Sequence, residues 1–183
     1  VIPARYESSR LKGKPLIDLN GVPMIIRTYR QCLKVVSSKQ IYIATDNDLI
    51  QKVCTHEGAK VIMTSSQCLT GTDRVAEVAQ KIDADIYINV QGDEPLFNPE
   101  DLKLLLNEIK KYPKEIITGY CEIENEKVHR DPNVPKVVVR PDGRLLYASR
   151  APIPSNKSSK FEKGWRQVCV YSFPKSALKL FSS

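Results

Sequence analysis

Asp85-Ile86-Tyr87-Ile88-Asn89-Val90-Gln91-Gly92-Asp93-Glu94-Pro95 is the stretch whose reading decides the fold. Residues 85–90 form a nearly continuous apolar run of strand length, the composition of a strand covered on both faces. Such strands belong to parallel sheets flanked by helices. Gly92 lets the backbone turn sharply on leaving the strand, and Pro95 stiffens the turn. Asp93 is thereby aimed beyond the sheet edge. Two readings of it stand at this point: a plain turn residue, or a hard oxygen donor suited to Mg²⁺ on a triphosphate.

The sequence on either side agrees with a parallel sheet. The chain opens on the tail of an apolar run. Asn20-Gly21 is a turn signal, and Pro23 suits the first turn of a helix. Met24, Ile25, Tyr29, Cys32, Leu33 and Val36 then recur at helical spacing. Residues 40–44 read as a strand. Residues 45–48 offer a cap for a helix through Glu57, which Gly58 closes. Residues 60–63 make a short strand, and residues 70–74 lead into a helix with Val75, Val78, Ala79 and Ile82 on one face. Beyond Pro95, Pro99 starts a helix with Leu102, Leu105, Leu106 and Ile109 inward. Strand and helix thus alternate four times, which predicts a parallel α/β sheet.

The pattern then changes. Residues 116–123 read as a strand. Residues 135–140 and 144–149 flank Pro141-Asp142-Gly143 as a hairpin. Residues 150–163, rich in Pro, Ser and Lys, read as a mobile loop. A strand over 165–173 and a helix over 174–181 close the chain.

At 183 residues the chain fits a single domain, 1–183, with an ample core. Val1 and the end at Ser183 lead us to expect truncation at both ends. The net charge of +7 permits an anionic ligand, but its cations are spread along the chain. A nucleic-acid stripe needs clustered cations with interleaved aromatics, so none is expected. The five cysteines are odd in number and form no Cys-x-x-Cys, which argues against a zinc ribbon or a disulfide framework. A reducing cytoplasm fits them. No apolar run is long enough to span a membrane.

In open α/β sheets, ligands bind beyond the carboxyl ends of the strands. Residues 3–15, 64–72 and 91–98 lie at such ends. The first of these loops carries Arg5, Arg10 and Lys14, and a strand end releasing into cations and free N–H groups can cradle phosphate. Arg grips phosphate as a fork and Lys as a mobile point charge; a solvated basic loop is the plainer alternative. No Gly-x-Gly occurs, so no dinucleotide fingerprint is present, and Pro15 after Gly13-Lys14 excludes a P-loop. Gly71-Thr72-Asp73-Arg74 reads as a capped helix entrance, which can also present donors to a nucleobase. His56 and His129 read as ordinary surface or helix residues, not a metal pair.

Ile2-Pro3-Ala4-Arg5-Tyr6, Ser9-Arg10-Leu11 and Gly13-Lys14-Pro15-Leu16 together resemble the signature of the 3-deoxy-manno-octulosonate (Kdo) cytidylyltransferases, relatives of the sialic acid cytidylyltransferases. Lys12 departs from the family's usual proline. Val90-Gln91-Gly92-Asp93-Glu94-Pro95, Pro132-Asn133-Val134-Pro135-Lys136-Val137 and Ser149-Arg150-Ala151-Pro152-Ile153-Pro154 extend the likeness along the chain. The resemblance implies a Rossmann-like nucleotide-diphospho-sugar transferase fold with a hairpin-containing dimerisation segment over about 125–173. It implies transfer of CMP from CTP to the anomeric hydroxyl of Kdo, with release of pyrophosphate, for lipopolysaccharide assembly.

It also implies roles for single residues. Arg10, Lys14 and Asp93 are the expected catalytic residues, with Asp93 holding Mg²⁺. Ala4, Arg5, Arg10, Lys14, Gly71, Thr72, Arg74 and Gln91 are expected around CTP. Arg150, Gln167 and Tyr171 are expected around the sugar acid, Arg150 by a bidentate contact with its carboxylate. The family's second metal-binding Asp, in a Val-Asp-Thr-Pro-type segment, has no counterpart before Ser183. Over 166–173 the family usually reads His-x-Gly-x-Tyr; here Gln167 replaces His and Cys169 replaces Gly. Strand alternation puts 167, 169, 171 and 173 on one face. A cytidylyltransferase for a modified Kdo, or another 2-keto-3-deoxy sugar acid, is therefore the first alternative. A catalytically silent nucleotide-binding protein is the second.

Overall fold

The structure, a computed structural model, describes residues 1–7 and 11–181. In chain order the first elements are β1 (Ile2–Ala4), α1 (Met24–Leu33), β2 (Tyr42–Thr45), α2 (Asp48–His56), β3 (Lys60–Met63), α3 (Gly71–Lys81), β4 (Ile86–Val90) and α4 (Pro99–Lys111). There follow β5 (Ile117–Glu122), α5 (Glu126–Arg130), β6 (Lys136–Val139), β7 (Leu145–Ser149), β8 (Trp165–Pro174) and α6 (Lys175–Phe181). They form two compact units, Val1–Ile117 with Cys169–Ser183, and Thr118–Val168.

The first unit contains the α/β alternation. β1, β2 and β3 are parallel in that spatial order, with Ile2 opposite Ile43 and Ile43 opposite Val61. β4 lies beside β1: Val1 N donates to Ile88 O at 2.7 Å and Val90 N to Val1 O at 3.0 Å, the alternating pattern of a parallel pair. Antiparallel pairing begins on the far side of β4, where Val90 faces Val170 and Ile86 faces Pro174 of β8. The core lies between this sheet and its helices, with Ile2, Ile25, Ile26, Ile43, Ile50 and Cys54 among its buried residues.

Local chemistry starts the helices, the cap of α3 falling on Thr70, just before the entrance read over residues 71–74. Asn47 Oδ1 accepts from Leu49 N and Ile50 N at the head of α2. Thr70 and Asp73 form a capping box on α3. Asn98 caps α4, with Pro99 in its first turn. Gly58, at φ 77°, ends α2 in the left-handed region, which costs glycine little.

The second unit is built on the hairpin. β6 and β7 are antiparallel, Lys136 facing Ser149, with a register shift between Val138 and Val139. The turn closes through Gly143 N to Arg140 O at 2.9 Å. β6 also pairs with the start of β8, Val137 opposite Trp165. These strands are joined by a turn and a loop without crossover helices, so they run antiparallel. α5 is absent from the sequence reading. Asn125 caps it through Val128 N at 3.1 Å, but five residues are too few to show a helical period. His129 on α5 is buried, and no surface residue: its Nε2 lies 3.2 Å from Ile153 O, and its ring is 4.9 Å from that of Phe161. On the edge strand β7, Leu145, Leu146 and Tyr147 are exposed.

Candidate active site

The loops leaving β1, β3 and β4 meet in the first unit around a cavity of about 600 Å³. Pro3, Ala4, Arg5, Leu11, Lys14 and Pro15 line it from the first loop. Leu69, Thr70, Gly71 and Arg74 line it from the second, and Gln91, Gly92 and Asp93 from the third. The convergence expected at the carboxyl ends of the strands is therefore present.

Hydrogen bonds shape the first loop. Gly13 N donates to Tyr6 O at 2.8 Å, and Gly13 itself sits at φ 71°. A 3-10 turn over Lys14–Leu16, stiffened by Pro15, then carries Lys14 toward the third loop. Its Nζ lies 2.5 Å from Asp93 Oδ2, with both side chains part-exposed. Arg5 Nη1 donates to Leu69 O at 3.4 Å, which links the first loop to the second.

Gly92 is a requirement of packing. A Cβ there would lie 2.6 Å from Pro3 O and 3.0 Å from Ile25 Cδ1. The carbonyl of Gly92 accepts from the buried Thr28 Oγ1 at 3.2 Å, so α1 holds the turn that presents Asp93. Thr28 was missed in the sequence, where it passes as one more residue of an amphipathic helix.

α3 begins at the cavity wall. Thr70 N donates to Asp73 Oδ2 at 2.5 Å and Asp73 N to Thr70 Oγ1 at 3.3 Å, completing the box. Gly71 allows close approach to Pro3, whose Cγ would stand 3.1 Å from an added Cβ. Arg74 is only 2% exposed. Its Nη2 reaches Asp46 Oδ2 at 2.5 Å, and its Nη1 reaches Thr64 Oγ1 at 2.6 Å and Ser65 O at 3.1 Å.

On the first unit's part of β8, Tyr171 and Phe173 stack at 6.2 Å, so the expected alternation holds. Val170 and Ser172 point to the buried side. Burial pushes the Tyr171 phenol up to about 12, with the neighbouring Cys169 adding to the shift. The Cys169 thiol is likewise raised, first by burial and then by the negative charge of Glu94 and Asp93. Both groups are neutral at physiological pH.

Of the expected site residues, Ala4, Arg5, Lys14, Gly71, Arg74, Gln91 and Asp93 line the one cavity. Thr72 lies on the same first turn of α3. Arg10 is outside the described residues. Arg150 and Gln167 belong to the second unit. There Arg150 Nη1 donates to Pro132 O at 2.8 Å and Asn133 O at 3.1 Å. Lys136, with no exposed surface, donates to Asp131 O of the same turn at 2.8 Å, and burial lowers its ammonium pKa. The Gln167 side chain is half-buried, while its N–H donates to Pro135 O at 3.0 Å.

Cations, a carboxylate and a capped helix thus surround a cavity at the strand ends of an α/β unit. The chain belongs to the cytidylyltransferase family, whose model it matches over residues 1–183. It is 38% identical over 182 residues to a 3-deoxy-manno-octulosonate cytidylyltransferase of Escherichia coli, covering 100% of this chain and 74% of that protein. The enzyme of the same name from Chlorobium phaeobacteroides is 42% identical, with 100% and 76% covered. Among solved structures, a CMP:2-keto-3-deoxy-manno-octonic acid synthetase complexed with CTP matches with a TM-score of 0.90 at 38% identity, covering 99% of this chain and 75% of that one. A cytidylyltransferase from Leptospira borgpetersenii, at 18% identity and a TM-score of 0.63, covers 98% and 60% and shares the fold.

Proposed function

We propose that this chain transfers CMP from CTP to the anomeric hydroxyl of Kdo and releases pyrophosphate. The observation that carries the reading is the cavity where Arg5, Lys14 and Asp93 converge on the α3 N-terminus. Its likeness to relatives of that name over the whole chain supports it.

In this reading the triphosphate lies along the first loop. Lys14 holds phosphate oxygens, with Arg5 beside it, and Arg10 joins them on the strength of its motif. The α3 entrance, with Gly71 and Thr72, takes cytosine and ribose, and Ala4 and Gln91 complete the wall. The hydroxyl attacks the α-phosphorus, and the P–O bond to the leaving pyrophosphate breaks. The chain's own contribution is positioning and neutralisation of charge.

Asp93 is the proposed magnesium ligand. Among the described residues no group of three or more His, Cys, Asp or Glu side chains is placed to hold a metal. One carboxylate on the wall of this cavity of about 600 Å³ nevertheless fits Mg²⁺, which commonly binds one or two carboxylates and completes its shell with phosphate and water. When bound, the ion supplies positive charge against the phosphates. The part-exposed Asp93 carboxylate, paired with Lys14 at 2.5 Å, supports this reading.

On the strength of the family motifs alone, Tyr171 of the first unit is assigned a sugar-acid role, and so, separately, are Arg150 and Gln167 of the second. A second reading, a modified Kdo as the preferred acid, is favoured by Cys169: its side chain adds volume beside Tyr171. We further assign the protein to lipopolysaccharide biosynthesis in the cytoplasm, as a homodimer formed through residues 125–173. The exposed Leu145, Leu146 and Tyr147 of β7 support that surface. Among the described residues no helix is long and apolar enough to cross a membrane.

Pyrophosphate release from CTP, followed with a panel of sugar acids, tests the reading. Release with Kdo is expected. Faster release with a variant acid selects the second reading. Nucleotide binding without release for any acid marks a silent protein.

A further inference from the structure

We propose that Asp46 is a positioning residue for the nucleotide cavity and acts through Arg74. The proposal rests on the reading that this cavity takes CTP. Asp46 follows the last residue of β2 and does not itself line the cavity. The helix cap at this corner is Asn47, which leaves the Asp46 carboxylate for another partner. That partner is the Arg74 guanidinium, 2.5 Å away, with the two side chains only 12% and 2% exposed.

The remaining Arg74 contacts explain what the pair does. Thr64 and Ser65, at the start of the β3–α3 loop, accept from Arg74 Nη1 at 2.6 and 3.1 Å. One guanidinium therefore ties the end of β2 and the start of that loop to the first turn of α3. A cation so engaged is a poor candidate for direct phosphate contact. Its effect is to fix the wall made by Leu69, Thr70 and Gly71. Asp46 neutralises a guanidinium that is only 2% exposed, and a buried cation without its partner is costly.

Asp46→Asn keeps the shape and an acceptor oxygen but removes the counter-charge. CTP affinity, measured by calorimetry on the whole chain, is expected to fall about ten-fold, or about 1.4 kcal/mol. KM for CTP should rise to match while kcat at saturating CTP stays within about two-fold, the mark of lost uniform binding. Arg74→Gln should weaken CTP similarly, and adding Asp46→Asn to it should cost nothing more, because the two act as one unit. Thr64→Val, a milder cut in the same clamp, should weaken CTP in the same direction and keeps the test open where Asp46→Asn does not fold.

Folded Asp46→Asn or Thr64→Val protein that melts earlier yet binds CTP like wild type overturns the proposal, as do additive effects of Asp46→Asn and Arg74→Gln. Wild type that binds no CTP overturns the functional reading and this proposal together. Wild type that binds CTP beside an Asp46→Asn variant that binds equally well overturns this proposal alone.

Discussion

At the scale of single residues, the site depends on a few close approaches. Lys14 and Asp93 form a part-exposed pair, so their contact adds little to stability. Their importance lies in what each offers a ligand. Lys14→Ala should raise KM for CTP by roughly 10- to 100-fold, the range for a charge-assisted hydrogen bond, and leave KM for the sugar acid nearly unchanged. Steady-state kinetics with each substrate varied in turn would check this, and the reverse pattern would reassign the loop to the sugar. Asp93→Asn should cost about 100-fold or more in turnover without unfolding the chain, because the amide keeps the shape but loses the charge proposed to hold a hard cation. Wild-type rates at ordinary Mg²⁺ would place the metal elsewhere. Gly92 was legible as a turn glycine, but its steric role was not. That role comes from the carbonyl of Pro3, far away in sequence, which leaves no room for a methyl group.

At the scale of elements, the sequence was most informative where local chemistry decides. The cap read over residues 45–48, Pro99 at the head of α4 and the breaker Gly58 mark helix ends without reference to tertiary structure, whereas the caps at Thr70 and Asn98 came only with the structure. The Thr70 box stands in the cavity wall, so one substitution reads both stability and binding. Thr70→Ala should lower stability by about 1 kcal/mol in urea melts and weaken CTP binding in parallel. An unchanged CTP affinity would show that α3's entrance does not touch the nucleotide. α5 escaped because Asn125 caps only one short turn of helix. The Asp46–Arg74 contact escaped because Asp46 follows β2 while Arg74 sits in the first turn of α3, and nothing in either segment names the other.

At the scale of the whole molecule, each unit follows from its connections. Crossover helices make β1, β2 and β3 parallel, and the hairpin makes β6 and β7 antiparallel. The parallel half was readable from alternation, whereas the partners of β8 depend on long-range pairing that no local pattern contains. The core also predicts a response to pH. Burial pushes the Cys32 thiol up to about 11 and the Cys54 thiol up to about 12, from an ordinary value of 9.0. A thiol raised in the folded state favours folding below its unfolded pKa, and this stability is lost as pH rises through the folded value. Urea stability should therefore fall from about pH 9 upward, and Cys54→Ala should make the fall shallower by up to one proton, about 1.4 kcal/mol per pH unit. An unchanged slope would mean that the thiol titrates normally.

The central claim is that the cavity at the carboxyl ends of β1, β3 and β4 is the CTP site. Crystals of the protein soaked with CTP and Mg²⁺ test it most directly. Triphosphate density beside Lys14, a cation on Asp93, and the cytosine against the first turn of α3 are expected. CTP bound outside this cavity, or with its base and phosphates reversed within it, would overturn the assignment.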